Sequence, residues 1–132
     1  MNWEQLCRFH LNPPKIQISR TSEDAYKYYV YKKELKESID EDIIRTYFED
    51  QNTIKQGWTI VDNLFPYDLP PDVKHLIIWI HPSATLLDNE IYRRIEYSMK
   101  KHGYDDFIYF ENRKNSRSVE KVKHFHILVR IH

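Results

Sequence analysis

Residues 123–131 read KHFHILVRI and decide the fold. Side chains of a strand point alternately to its two faces, so one face of this segment is apolar: Phe125, Ile127, Val129 and Ile131. The opposite face carries His124 and His126. Burying four large apolar side chains is worth about 6–10 kcal/mol, at ~1.5–3 kcal/mol each, and a slip by one residue would put the histidines in the core instead. The sequence therefore predicts a strand with one buried face and two imidazoles lining a pocket on the other.

The composition is that of one globular domain over residues 1–132. Hydrophobic residues make up 41% of the chain and charged residues 30%, which is ordinary for a domain of this size with its own core. With only two glycines, the chain has no glycine-rich phosphate loop. The formal net charge is zero, which argues against nucleic acid or a membrane surface as a partner, because both favour a basic surplus.

The N-terminal residues and the single cysteine indicate the cellular compartment to expect for this protein. Cys7 alone cannot form an internal disulfide or a four-thiolate zinc site, and it suits a reducing compartment. Glu4 and Arg8 interrupt the N-terminus, so no signal peptide is predicted. No apolar run approaches ~18 residues, the length of a membrane span. We therefore expect a cytoplasmic protein with no cofactor and no tightly bound structural zinc.

The first half of the chain is predicted to be mainly helical after an irregular segment, residues 1–18. Thr21 begins a capping-box pattern and opens a helix that runs to about residue 37. Asp40 is the expected cap of a second helix, whose inward stripe is Ile43, Ile44, Tyr47 and Phe48. Three short segments follow: a polar connection (51–56), a strand (58–61) and a proline-rich loop (62–71).

The second half alternates strands with one helix. Residues 73–81 (VKHLIIWIH) carry apolar side chains on both faces, which predicts a central strand covered on both sides. Thr85 or Asp88 is the expected cap of a helix through residue 102, and residues 107–110 form the next strand. The predicted architecture is α+β: a small, mainly antiparallel sheet with helices packed on one side.

Five motifs spread over most of the chain occur together. They are SRT at residues 19–21, DNLFPY at 62–67, HLIIW at 75–79, Asn112 followed by Ser118-Val119, and HFHIL at 124–128. In combination they resemble the fungal N-acetylglucosamine-induced protein 1 family, a domain of unknown function. The resemblance implies a shared fold and a shared site, without a defined chemistry. The richness in Lys, Ile, Asn and Tyr is typical of AT-rich genomes and indicates a virus or a protist as the source.

The C-terminal half carries a second pattern: a strand ending in His81-Pro82, a helix, a strand ending near Asn112, a Ser118-Val119 loop, and His124-x-His126. This order resembles the histidine-triad nucleotide hydrolases and transferases. The resemblance implies that His126 attacks phosphorus with His124 beside it, and that Asn112 and Ser118 contact phosphate or ribose. Leu128 stands at the third histidine position, and His124 follows Ser118 at a longer spacing than usual. By this resemblance, the chain would lack the histidine that stabilises the leaving group, and activity would be slow, altered or absent.

Three kinds of function fit these residues. In an enzyme acting on a phosphorylated nucleotide or sugar, neutral His126 would attack or act as base, and cations would neutralise phosphate: Arg20, Arg113, Lys114 and Arg117. In a non-catalytic domain, the polar loop and the histidines would recognise an anionic ligand or a protein. In a metal site, His124 and His126 would be joined by His75 or His81, as in three-ligand catalytic zinc. Paired histidines beside a basic loop also occur as ordinary solvated surface.

Further candidate ligand-binding residues are Arg20, Asn63, Tyr67 and Trp79. Arg20 precedes a helix N-terminus, where anions bind, or is a surface arginine. In the loop that also carries Asn63, Phe65-Pro66-Tyr67 would wall one side of a pocket or serve as a rigid anchor. Trp79 would stack on a base or sugar, or pack in the core. His75, on the same strand face, is either a partner of His124 or a core histidine bonded to backbone.

Residues 112–123 are predicted to form an anion-binding lid over the histidines. They contain five basic residues against one acid, Glu120: Arg113, Lys114, Arg117, Lys121 and Lys123. A phosphate held by one or two arginines gains ~1.5–3 kcal/mol per charge-assisted bond. The expected partner is therefore an anionic small molecule, a nucleotide or a sugar phosphate.

Overall fold

Four antiparallel strands form the centre of the molecule. The computed structural model describes residues 1–114, 117 and 119–132. The strands are β1 (Trp58–Asp62), β2 (Val73–Ile80), β3 (Asp106–Phe110) and β4 (His124–Arg130), in the sheet order β1-β2-β4-β3. Every neighbouring pair is antiparallel. The predicted α+β class with a small antiparallel sheet is therefore confirmed.

Five helices occur in the described part of the chain: α1 (Trp3–Cys7), α2 (Ser22–Glu34), α3 (Ile39–Tyr47), α4 (Gln51–Gln56) and α5 (Asp88–Lys101). None of them is long and apolar enough to cross a membrane. Two were not predicted, since α1 lies in the segment expected to be irregular and α4 in the expected polar connection. Both are short and begin at a side-chain cap, Asn2 and Asp50, which apolar periodicity does not reveal.

The start of α3 differs from the prediction by two residues. Ser38 is its cap, because the Ser38 hydroxyl accepts the backbone N–H of Glu41 at 3.1 Å. Asp40 instead bonds to a distant segment, since its Oδ1 accepts the backbone N–H groups of Lys121 and Val122, at 2.8 and 3.0 Å. These two bonds tie the segment before β4 to the beginning of α3.

The cap residues of the other long helices, α2 and α5, are Thr21 and Leu87. Thr21 caps α2 as predicted, its hydroxyl accepting a backbone N–H of the first turn. For α5 the prediction of Thr85 or Asp88 was wrong: Leu87 is the cap residue, and its N–H donates to the Glu90 carboxylate at 3.1 Å. The reciprocal half of a capping box thus starts α5 without a polar residue at the cap position.

Helices cover both faces of the sheet, whereas we expected them on one side. One face packs against α5 in a cluster made by three strands and the helix: Leu76, Ile78, Ile80, Phe125, Ile127, Val129, Tyr109, Ile91, Ile95 and Met99. On the other face, Ile43 of α3 packs with Ile77 and Trp79, and Leu6 of α1 packs with Leu128. The one-sided prediction failed because β2 and β4 carry apolar side chains on both faces.

The register places the β4 histidines beside β2. His124 pairs with Trp79 and His126 with Ile77. The predicted alternation holds within β4, but Ile131 lies beyond the strand and is 45% exposed. His124 and His126 are only 6% and 4% exposed, so they belong to the interior and not to a solvated surface.

Candidate functional site

A pocket of about 310 Å³ lies over the sheet face that carries the histidines; we call it the histidine pocket. It is on the side opposite Phe125 and Ile127, where strand alternation placed it. Seven of the predicted site residues line it: Arg20, Asn63, Trp79, Asn112, Arg117, His124 and His126. Phe65, which was expected to wall a pocket, lines it as well.

His75 and Tyr67 lie behind the histidine pocket and support it. The backbone N–H of Tyr67 donates to His75 Nδ1 at 3.1 Å, and His75 Nε2 lies 2.9 Å from His126 Nδ1. His126 Nε2 lies 3.0 Å from Asn112 Nδ2 and 3.4 Å from Tyr67 Oη. His75 is therefore a core histidine bonded to backbone, and its imidazole partner is His126 and not His124.

Burial keeps the three histidines neutral. It lowers the pKa of His75 to about 3, with Arg20 acting in the same direction. Burial, the neighbouring histidines and Arg20 hold the pKa of His126 well below its ordinary value of 6.5. The pKa of His124 is also lowered, mainly by burial, although its bond to the Val122 carbonyl opposes the shift. Uncharged imidazoles therefore face the pocket at neutral pH.

Two arginines reach the histidine pocket, and each is fixed to a backbone carbonyl through Nε. Arg20 donates to the Phe65 carbonyl at 2.7 Å, and Arg117 donates to the Asn112 carbonyl at 2.7 Å. Arg117 also pairs with the Glu111 carboxylate at 3.4 Å. Because Nε carries the anchoring bond, the terminal nitrogens of Arg20 remain as donors for an anion.

Aromatic rings surround the histidine pocket. Three of them pack together with centroid separations of 5.0, 5.1 and 6.2 Å: Tyr28, Tyr31 and Phe65. Tyr47 stacks on Trp79 at 6.1 Å, and Trp79 contacts the His124 ring at 4.9 Å. The Trp79 indole nitrogen is buried, and within the described residues it has no hydrogen-bond acceptor. The pocket therefore suits a ligand that contains a ring.

The acidic residues of the pocket already have partners. Asp42 accepts a hydrogen bond from the Tyr31 hydroxyl, and its other oxygen lies 2.5 Å from Arg45 Nη2. Asp62 pairs with Lys74 at 3.2 Å. Burial and the bond to Asp42 raise the pKa of Tyr31. These carboxylates are thus neutralised locally and do not cancel the charge of Arg20.

The predicted lid is only partly present over the pocket. Arg117 lines the pocket, but Arg113 does not: its Nη2 donates to the Pro13 carbonyl at 3.4 Å, which draws it toward the N-terminal segment. Lys123 pairs with two carboxylates, those of Asp88 and Glu111. Ser118 lies outside the described residues. Arg113 is thus not among the residues that line the histidine pocket, and its role in ligand binding stays a prediction.

The geometry gives the metal hypothesis no third ligand. Within residues 1–114, 117 and 119–132, no group of three His, Cys, Asp or Glu side chains could hold an ion. The facing nitrogens of His75 and His126 bond to each other. His81 packs its ring edge-on to Phe48, and its Nδ1 lies 2.7 Å from the Ser83 hydroxyl.

Sequence reasoning missed the helical walls of the pocket. These residues come from α2 and α3: Tyr28, Tyr31, Ile39, Asp42, Ile43, Thr46 and Tyr47. Tyr28 and Tyr31 are three residues apart and share one helix face, as do Asp42 and Thr46 at four. That spacing was the available signal. The inward stripe predicted for α3, which includes Ile43 and Tyr47, does pack inward, but the sequence did not connect it to a pocket.

An α+β domain with an aromatic pocket over buried histidines is the class that this fold and site define. The chain belongs to the family described as Protein of unknown function (DUF3605), which matches residues 2–130. Its fold is similar to the solved structure titled "Crystal Structure of HTC1", at 17% identity and a TM-score of 0.60, covering 87% of this chain and 77% of that chain. No curated protein matches the chain.

Proposed function

We propose that the histidine pocket binds a small organic anion containing a ring, of the class of phosphorylated nucleotides or sugars. The observation that carries this proposal is that Arg20 and Arg117, both fixed through Nε, share one pocket with aromatic rings and neutral histidines. The volume of about 310 Å³ lies at the lower end of the range for small-molecule sites. It favours a single nucleotide or sugar phosphate over a longer ligand.

Hydrolysis or transfer at phosphorus is the second candidate function. His126 would be the attacking residue, with His124 and His75 in support, and Asn63, Tyr67 and Asn112 would contact the ligand together with Ser118. What favours it is that His124 and His126 line the same pocket as both arginines. The resemblances to the histidine-triad enzymes and to the N-acetylglucosamine-induced protein 1 family, the viral or protist source and the cytoplasmic location remain predictions.

Isothermal titration calorimetry on the full chain tests the binding proposal. The probes are AMP, UMP, glucose 6-phosphate, N-acetylglucosamine 6-phosphate and inorganic phosphate. We expect micromolar to millimolar binding of at least one ring-containing probe. Losing one charge-assisted bond of ~1.5–3 kcal/mol corresponds to roughly a 10–150-fold weaker Kd, and we expect a loss of this order for Arg117→Ala and for Arg20→Ala.

Two matched controls separate the pocket from general charge. Arg113→Ala comes from the same segment as Arg117 but lies outside the pocket, and Arg94→Ala removes an exposed cation of α5. Both should leave the Kd unchanged. The proposal fails if no probe binds the wild type, or if Arg117→Ala binds as well as Arg113→Ala. Phosphate release by the wild type, abolished in His126→Ala with binding intact, would instead favour the enzyme.

A further inference from the structure

The His124 ring has a defined proton position. Its Nδ1 lies 2.8 Å from the Val122 carbonyl oxygen, which can only accept, so Nδ1 carries the proton. The ring is buried and uncharged, which leaves a lone pair on Nε2. Among the residues that the structure describes, none is seen to hydrogen-bond to this nitrogen. His124 therefore brings an acceptor to the histidine pocket.

His126 has the opposite tautomer. The Tyr67 backbone N–H is an unambiguous donor, which makes His75 Nδ1 an acceptor. Neutral His75 then carries its proton on Nε2 and donates it to His126 Nδ1, 2.9 Å away. Neutral His126 must in turn carry its proton on Nε2. One backbone donor thus sets the tautomers of two buried histidines.

Asn112 completes this chain of hydrogen bonds. Its Nδ2 position lies 3.0 Å from His126 Nε2 and 3.0 Å from Tyr67 Oη. A protonated Nε2 facing an amide NH₂ would set two donors against each other, whereas the amide turned by 180° lets Oδ1 accept from both neighbours. The turned amide frees the Asn112 NH₂ group to donate elsewhere.

We infer that His124 Nε2 is the acceptor with which the histidine pocket selects a ligand bearing a hydroxyl or N–H group, while His126 is a donor to Asn112. The identity of the ligand rests on the proposed function. Arg20, Arg117 and the Asn112 amide all donate, so an anionic oxygen satisfies them and a ring hydroxyl satisfies His124. A ribose or hexose phosphate combines both groups. These tautomers leave His126 no free lone pair, so they contradict the attack on phosphorus by His126 that the second candidate function requires; in a reaction at this site, His124 would be the residue able to take a proton.

The tautomers are measurable without any ligand. Long-range ¹H–¹⁵N correlation spectra of the full labelled chain at neutral pH, assigned with His124→Gln and His126→Gln, distinguish protonated from bare ring nitrogens. We expect His124 to carry its proton on Nδ1 and His126 to carry its proton on Nε2. Both rings in one tautomer, or His124 protonated on Nε2, would overturn the inference whatever the pocket binds.

Matched ligand pairs test the acceptor role by calorimetry. AMP is compared with 2′,3′-dideoxy-AMP, and glucose 6-phosphate with its 2-deoxy analogue. One hydrogen bond is worth about a 3–10-fold preference for the hydroxyl-bearing member. His124→Phe should remove this preference, and His124→Gln, which keeps an acceptor, should retain part of it; melting temperatures show that both variants fold.

The outcomes separate this inference from the proposed function. Equal Kd values for both members of every pair that binds wild type would overturn the acceptor role and leave the proposed function standing. If no probe binds the wild type, the proposed function fails, and the part of the inference that concerns the ligand fails as well. The spectra then decide the tautomers alone.

Discussion

The two faces of β4 are equally buried but are stabilised in different ways. Three side chains on one face are at most 2% exposed and pack against α5: Phe125, Ile127 and Val129. Their burial is non-directional and depends on area. On the other face, His124 and His126 are buried only because each ring finds directed hydrogen bonds. The apolar face therefore supplies stability, and the histidine face supplies fixed donors and acceptors for a pocket.

The largest mutational effect is expected on the apolar face. Phe125→Ala should lower the free energy of unfolding by about 3–5 kcal/mol, because it removes a ring and leaves a cavity. Urea unfolding followed by circular dichroism measures this. Ile131→Ala is the matched control, since it lies two positions beyond Val129 but is 45% exposed, and it should change stability by less than about 0.5 kcal/mol. A similar loss of unfolding free energy in Phe125→Ala and Ile131→Ala would contradict the view that the buried apolar face of β4 supplies stability.

Acid should destabilise the histidine face. The pKa of His75 in the folded chain is about 3 and that of His126 lies well below the ordinary 6.5. Above pH 6.5 these imidazoles are neutral in both the folded and the unfolded chain. Below pH 6.5 the unfolded chain binds protons that the folded chain does not bind, so the stability of the folded state decreases as the pH is lowered. From pH 7 to pH 5 we expect a loss of about 2 kcal/mol from His75, and a further loss in the same direction from His126.

Urea unfolding at a series of pH values checks this slope. In His126→Gln the free energy of unfolding should change less with pH than in the wild type, by the contribution of one histidine. A wild-type stability that does not change between pH 7 and pH 5 would show that the folded chain protonates these rings as readily as the unfolded one.

The next effect concerns the bond between His75 and His126. His126→Leu leaves the His75 N–H without its acceptor, and a buried unsatisfied group costs about 1–3 kcal/mol. His75→Leu should cost a similar amount, but the double variant should cost less than the sum, because the bond is lost only once. Urea unfolding of the four proteins gives the coupling energy. As a control, Ile95→Val on α5 should add to His126→Leu without coupling.

The sequence predicted what depends on local alternation and missed what depends on distant partners. The alternation of side chains along a strand correctly predicted which residues share each face of β2 and β4. It also predicted the apolar side chains that pack against α5. It placed His124 and His126 at a pocket, but it could not show how they are buried, because their burial requires Tyr67, 59 positions away from His126, and His75, 51 positions away. The walls of the pocket were missed for the same reason, since the bond from Lys121 N–H to Asp40 that fixes α3 spans 81 positions.

Trp79 is the exception on the histidine face, and it gives the smallest predicted effect. Its ring packs against His124 and Tyr47, but its indole N–H is buried without an acceptor among the described residues. Trp79→Phe loses ring contacts and also removes an unsatisfied donor whose burial costs about 1–3 kcal/mol. The lost contacts and the removed donor have opposite effects on stability. We therefore expect the free energy of unfolding measured in urea to change by less than about 1 kcal/mol. A loss above about 2 kcal/mol would show that the indole N–H is bonded in the folded protein.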